Sequence, residues 1–196
     1  MEYIKKILES ILTSLYQEFN AALVCAVLFM FVYVCIKENG FKKTCRFWYH
    51  RFRESKEFRR VFYLAFYSFM ILFRTLLCRA FFSNPLQNIM GVWGLEHNNA
   101  PYTEGIENFI LFVPFTCLLF WAFRNKIFKD GKIRFLSLIV KSIVISFLVS
   151  LGIETTQLLF KLGTFQLADL CFNTCGGMLG GIIYYLLSIL KNKRKR

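Results

Sequence analysis

Long uncharged runs alternate with charged ones along this chain. Five of the runs predict helices able to cross a bilayer. They are Phe19 to Ile36, Val61 to Leu77 with Arg74 inside it, Asn108 to Phe123, Ile133 to Phe160 interrupted by Lys141 and Glu154 beyond the Arg134 at its edge, and Ala168 to Leu190 with only Asp169. About 20 apolar residues cover the roughly 30 Å of hydrocarbon, and in lipid only a helix or a closed barrel satisfies its own backbone. The runs lack the alternation of barrel strands, so the expected fold is an all-α, polytopic membrane helix bundle.

Ahead of the first span, Ile4, Ile7, Leu8, Ile11, Leu12 and Leu15 recur at helical spacing, with Lys5, Lys6, Glu9, Thr13 and Ser14 opposite. Two readings of this stretch stay open. One is an amphipathic helix lying at the outer membrane surface, and the other is an extension of the first span packed on its neighbours. A cleaved signal peptide is not expected, because the apolar run is too long and no small-residue cleavage site follows it. The expected division is an amphipathic segment 1–18, a first span and basic link 19–60, a four-helix membrane domain 61–190, and a basic tail 191–196.

Composition agrees with the pattern. The 196 residues are 56% hydrophobic and include 24 Phe, more apolar surface than so small a globule can hide from water. A formal charge of +13 first allows nucleic acid as a partner. The distribution of the charge removes that reading. Nine Lys/Arg lie between Lys37 and Arg60, five between Arg124 and Arg134, and five in the tail from Lys191 to Arg196. The other connections are nearly bare. The positive-inside rule then puts the N-terminus outside and the C-terminus in the cytoplasm, with the lipid bilayer as the partner. Seven cysteines without a CxxC pair and only two His give no support for a metal or cofactor.

Polar residues within the spans need a reason, since each ionised side chain there costs about 2.5 to 3.5 kcal/mol on insertion scales. Most of them fall at one end. Arg74 lies near the outer end of the second span, Asn108 opens the third, Glu154 and Gln157 approach the outer end of the fourth, and Asp169 and Asn173 open the fifth. Glu104 and Glu107 come just before the third span. Glu154 and Gln157 share a helix face at i,i+3, as do Asp169 and Asn173 at i,i+4. Arg74 is the expected counter-ion for one or both span acids, and Thr164 a candidate cap for the fifth helix. The six groups serve either to hold helices together, at about 0.6 kcal/mol per hydrogen bond in lipid, or as an outward-facing polar pocket. Gly176, Gly177, Gly180 and Gly181 are small-xxx-small pairs suited to close packing within the chain or, alternatively, to a homodimer. Pro114 lies inside the third span and frees a carbonyl.

The stretches Asn108–Pro114–Phe115, Glu154-Thr-Thr-Gln157 and Asp169-x-x-x-Asn173-x-x-Gly176-Gly177 resemble, in that order, the patterned helices of the VanZ-like family. Asn84-Pro85-Leu86 is similar to its Asn-Leu-x-Pro-Phe segment, with the Pro displaced and the Phe missing. The resemblance covers roughly residues 70–190. It implies a small integral protein of the bacterial plasma membrane, from a family named for resistance to teicoplanin-type lipoglycopeptides and without a settled biochemical activity. Arg74, Asn108, Glu154, Gln157, Asp169 and Asn173 are then candidates to bind a lipid-linked wall precursor or a lipoglycopeptide. Two alternatives stay open: an enzyme acting on a lipid headgroup, with Glu154 or Asp169 as general base, and a structural partner of an envelope complex. No nucleophile elbow, phosphate loop or zinc motif supports catalysis. A transporter is disfavoured by the absence of an inverted repeat.

Overall fold

The computed structural model describes every residue except Met1, 17–18, 36–39, 78–82, 95, 98–99, 129–132 and 194–196. Ile36, Lys37 and the last three tail residues, which bound the first span, the basic link and the tail, lie outside the described part. Among the described residues the regular elements are helices, apart from a two-residue antiparallel pair at Glu96–His97 and Ala100–Pro101. The helices are α1 (Glu2–Tyr16), α2 (Phe19–Cys35), α3 (Phe41–Glu54), α4 (Lys56–Leu72), α5 (Glu104–Ala122), the short α6 (Arg124–Ile127), α7 (Phe135–Phe160) and α8 (Leu167–Lys193). A π-helical turn, Phe73–Leu77, extends α4.

Helices α5, α7 and α8 are long and apolar enough to cross a membrane. The uncharged α2, with 17 residues, reaches about 26 Å at 1.5 Å per residue. Two boundaries differ from the sequence reading for a local reason. Helix α4 starts at Lys56 rather than Val61 because the Ser55 hydroxyl accepts from the Phe58 amide at 3.1 Å. Helix α5 starts at Glu104 rather than Asn108, its first turn closed by the Glu107 amide on the Thr103 carbonyl at 2.9 Å. That earlier start carries Glu107 into the helix and buries it.

The basic link contains a helix that its charge density had hidden. In α3, Thr44, Trp48 and Phe52 line one face, and Trp48 and Phe52 pack edge-on against Phe62 of α4. Lys42, Lys43, Arg46, His50 and Arg51 cover the exposed side. Helices α2, α3 and α4 share a core of Ala26, Met30 and Phe62. A second core of Leu64, Ile71, Leu111, Phe112, Phe115 and Ile153 joins α4, α5 and α7. Lys141 donates to the Ile127 carbonyl at 2.5 Å and lies 4.8 Å from the Phe128 ring centroid, which ties α7 to α6.

Helix α7 is inside-out. Ser142, Ser146 and Ser150 are fully buried, while Leu136, Val140, Leu148 and Leu159 are exposed. Apolar residues outward and small polar ones inward is the arrangement of a helix whose surroundings are lipid. The buried serines meet α8 in antiparallel register: a Cβ on Gly181 would strike the Ser142 hydroxyl, and one on Gly177 the Ser146 hydroxyl. Asn173 donates to Ser150 at 2.9 Å to make the next rung. On its other side α8 runs parallel to α5, where Gly176 and Gly180 abut the Phe109 and Val113 carbonyls. Each glycine pair is therefore split between two partner helices. Pro114 lies within α5, which runs unbroken to Ala122.

Candidate functional site

The chain direction brings the end of α4, the start of α5, the end of α7 and the start of α8 to one end of the bundle. Arg74, Asn108, Glu154, Gln157, Asp169 and Asn173 all lie there, and all but Arg74 are buried. Arg74 sits in the π turn, a distortion that is frequent at functional positions. It forms an ion pair with Glu107, whose carboxylate also accepts from the hydroxyls of Ser10 and, at 2.7 Å, Thr103. Helices α1, α5, the π turn and the loop before α5 thus meet at one carboxylate. Arg74 therefore has Glu107 as its counter-ion, where the spacing pointed to Glu154 or Asp169. The difference follows from the earlier start of α5.

The two span acids lie deeper. Glu154, only 2% exposed, accepts from the backbone amide of Gln166 at 2.9 Å, which fixes the turn between α7 and α8. Asp169 lies one turn before Asn173, so the register that pairs Asn173 with Ser150 sets Asp169 opposite Glu154. Gln157 donates to the Thr75 carbonyl at 2.7 Å, which joins α7 to the π turn. Asn108 is buried in the first turns of α5.

Thr164 does not cap α8. It accepts from the Gln166 side chain at 2.8 Å, and the Gln166 carbonyl accepts from Leu170. The orphan amides at the start of α8 go elsewhere. Phe165 donates to the Pro85 carbonyl at 2.9 Å, Leu167 to Ile89 at 2.8 Å and Ala168 to Met90 at 3.3 Å. The Asn84-Pro85-Leu86 stretch thus opens a loop that caps α8 with its own backbone. Gly91 ends that loop with φ +71°, where a Cβ would strike Ala168 and Gln166.

Two amide oxygens at this end, Gln166 Oε1 and Asn173 Oδ1, are buried without a hydrogen-bond partner among the described residues. A buried acceptor left unsatisfied costs about 1 to 3 kcal/mol, so it calls for a donor. Beside the cluster, a mainly apolar groove of about 380 Å³ runs between α4 and α7, lined by Ile71, Leu76, Phe115, Val149, Ile153 and Thr156. No group of three His, Cys, Asp or Glu among the described residues is placed to hold a metal.

Sequence reasoning had counted Glu107 as a loop acid and missed Ser10, Thr75, Thr103 and Gln166. Only Ser150 had a legible signal, the four-residue repeat with Ser142 and Ser146.

A family model described as VanZ/LLP1 matches residues 3–188, nearly the full chain. The chain belongs to the VanZ family. The match begins in α1, so the first three helices, which carry none of the polar motifs, belong to the family's length too. Protein VanZ of Enterococcus faecium is 33% identical over 117 residues, covering 55% of this chain and 66% of that protein. The chain thus spans just under two thirds of that relative. No solved structure matches it. VanZ membership and the apolar helices make this a membrane protein.

Proposed function

We propose that this VanZ-family protein binds a lipid-linked cell-wall precursor or a lipoglycopeptide at the polar end of its bundle, and so contributes to resistance of the teicoplanin type. The single observation that supports this most is the pair of unsatisfied buried oxygens, Gln166 Oε1 and Asn173 Oδ1, beside Glu154 and Asp169. These groups accept hydrogen bonds. Arg74 is already matched by Glu107, so the end favours a donor-rich ligand, such as sugar hydroxyls or peptide amides, over a bare phosphate. The adjacent groove suits the apolar chain that such ligands carry. With the N-terminus outside and the C-terminus in the cytoplasm of a bacterial plasma membrane, the polar end opens to the outer leaflet, where wall precursors are met. The exposed Ile4, Leu8 and Leu12 of α1 then dip into the same leaflet.

The test pairs binding with phenotype. Glu154→Gln, Asp169→Asn and Asn173→Ala, inserted at wild-type levels, are expected to weaken capture of a fluorescent lipid-linked precursor or of teicoplanin about tenfold each, as loss of one buried hydrogen bond predicts. They should also restore teicoplanin sensitivity. Unchanged capture and sensitivity in all three would remove the reading. The facing of Glu154 and Asp169 supports a second reading, a headgroup-modifying enzyme with one of them as general base. Mass analysis of the precursor after incubation separates the two, since a binder returns it unchanged.

A further inference from the structure

The opposite end of the bundle holds a second cavity, of about 260 Å³, between the start of α4, the α5–α6 corner and the end of α8. Arg60, Arg124 and Lys191 converge on it from these three elements, and its wall includes Trp121, Tyr184 and Leu187. No carboxylate lines it among the described residues. Arg60 is 14 positions before Arg74 on the α4 axis, so the two ends are about 21 Å apart at 1.5 Å per residue.

Arg60 decides what the cavity is for. Its guanidinium lies over the Trp121 ring, 5.3 Å from the centroid, a cation–π contact. Trp121 is itself stacked on Tyr63 at 6.3 Å between centroids, so two residues of α4 hold the ring. The Arg60 Nε is buried and has no hydrogen-bond partner among the described residues. A planar guanidinium beside an aromatic ring is matched by a planar or tetrahedral oxyanion, to which its terminal amino groups can donate two parallel hydrogen bonds. Lys191, exposed on the last turns of α8, adds a mobile charge at the mouth. The volume falls below the roughly 300 Å³ at which pockets for whole drug-sized ligands begin. Its polar part therefore suits one phosphate group, and Leu187 and the Trp121 ring suit the glycerol and first methylenes that follow it.

We propose that this cavity is a specific site for the phosphate of an anionic phospholipid. It does not depend on the reading of the polar end. It also differs from the diffuse attraction of a basic surface for acidic lipid, because three cations from separate elements meet around one aromatic platform. The exposed face of α3, with Lys42 and Lys43, supplies the diffuse alternative within the same protein.

The experiment uses the full-length protein in nanodiscs and in detergent, with native mass spectrometry and thermal unfolding as readouts. Wild-type protein is expected to retain one phosphatidylglycerol through delipidation steps that strip phosphatidylcholine, and to be stabilised by adding it back. Arg60→Gln and Lys191→Gln should each weaken retention about tenfold, as loss of a charge-assisted hydrogen bond predicts, while Lys42→Gln with Lys43→Gln leaves it unchanged. Lys191 is outside the packed core, so it keeps the test decisive even where Arg60→Gln fails to fold. Equal retention of the two lipids, or equal loss in the α3 variant, overturns the proposal. Inorganic phosphate is the last arm: if millimolar phosphate alone stabilises the protein and displaces the lipid, the site is one for soluble phosphate and the lipid assignment falls.

Discussion

Arg74 of the π turn and Glu107 of α5 form an ion pair in which the carboxylate is 7% exposed and the guanidinium side chain 25%. The buried partner also takes two hydroxyls, from Ser10 and Thr103. The acid is the hub and the arginine one of its spokes.

That asymmetry predicts unequal costs. Glu107→Ala removes the common partner of three groups and should destabilise the protein more than Arg74→Ala or Ser10→Ala. A double-mutant cycle on Arg74 and Glu107 should give a coupling of about 1 to 3 kcal/mol, in the range of contacting pairs. Reversible unfolding in mixed micelles measures it, and a coupling near zero would show that the pair is not formed.

The glycine contacts of α8 predict which clashes can be relieved. A Cβ at position 181 would sit 3.0 Å from the Ser142 Cβ and much nearer its hydroxyl, so Ser142→Ala should partly rescue Gly181→Ala. Gly176→Ala meets the Phe109 carbonyl of the main chain, and no side-chain change can make room there. Overpacking of this kind costs about 1 to 3 kcal/mol or more. Thermal unfolding of the single and double variants reads the difference directly.

Loop capping of α8 gives a third expectation. Gly91→Ala puts a side chain at φ +71° and 2.7 Å from the Ala168 Cβ. The strain, about 1 to 3 kcal/mol, should lift the loop rather than unfold the bundle. Amide hydrogen exchange at Leu167 and Ala168 should then speed up, with α7 protection unchanged.

Orientation is open to chemical labelling. In a chain freed of its own cysteines, Leu86→Cys on the capping loop should react with an impermeant maleimide in intact cells. Tyr49→Cys on α3 should react only after the membrane is opened. The reverse pattern would invert the expected topology.

The sequence carried the apolar helices and the clustering of polar groups at one end, because lipid makes both conspicuous. Glu154, Gln157, Asp169 and Asn173 stood out against runs such as Ile143 to Val149, where nearly every residue is apolar. Partnerships were a different matter. Glu107 looked like one of several acids in a loop until the first turn of α5 drew it inward. Thr75 receives Gln157 through its backbone carbonyl and Gln166 meets Glu154 through its backbone amide, and such contacts leave no mark in residue identity. Helix α3 was obscured because basic residues outnumber the Thr44, Trp48 and Phe52 face that gives it a period.

The facing rows of α7 and α8 repeat every four residues, Ser142 on Gly181 and Ser146 on Gly177. A zipper of identical teeth closes equally well one tooth out of step. Asn173 on Ser150 is the tooth of another shape. If the two helices slipped by a turn, its amide would face the Glu154 carboxylate or crowd Ser146, where the native register needs a glycine, and Gln166 would leave Glu154. The residues at the polar end therefore also serve as the key that tells the hairpin where to stop, so an Asn173→Gly variant should be well packed and yet unsure of its own alignment.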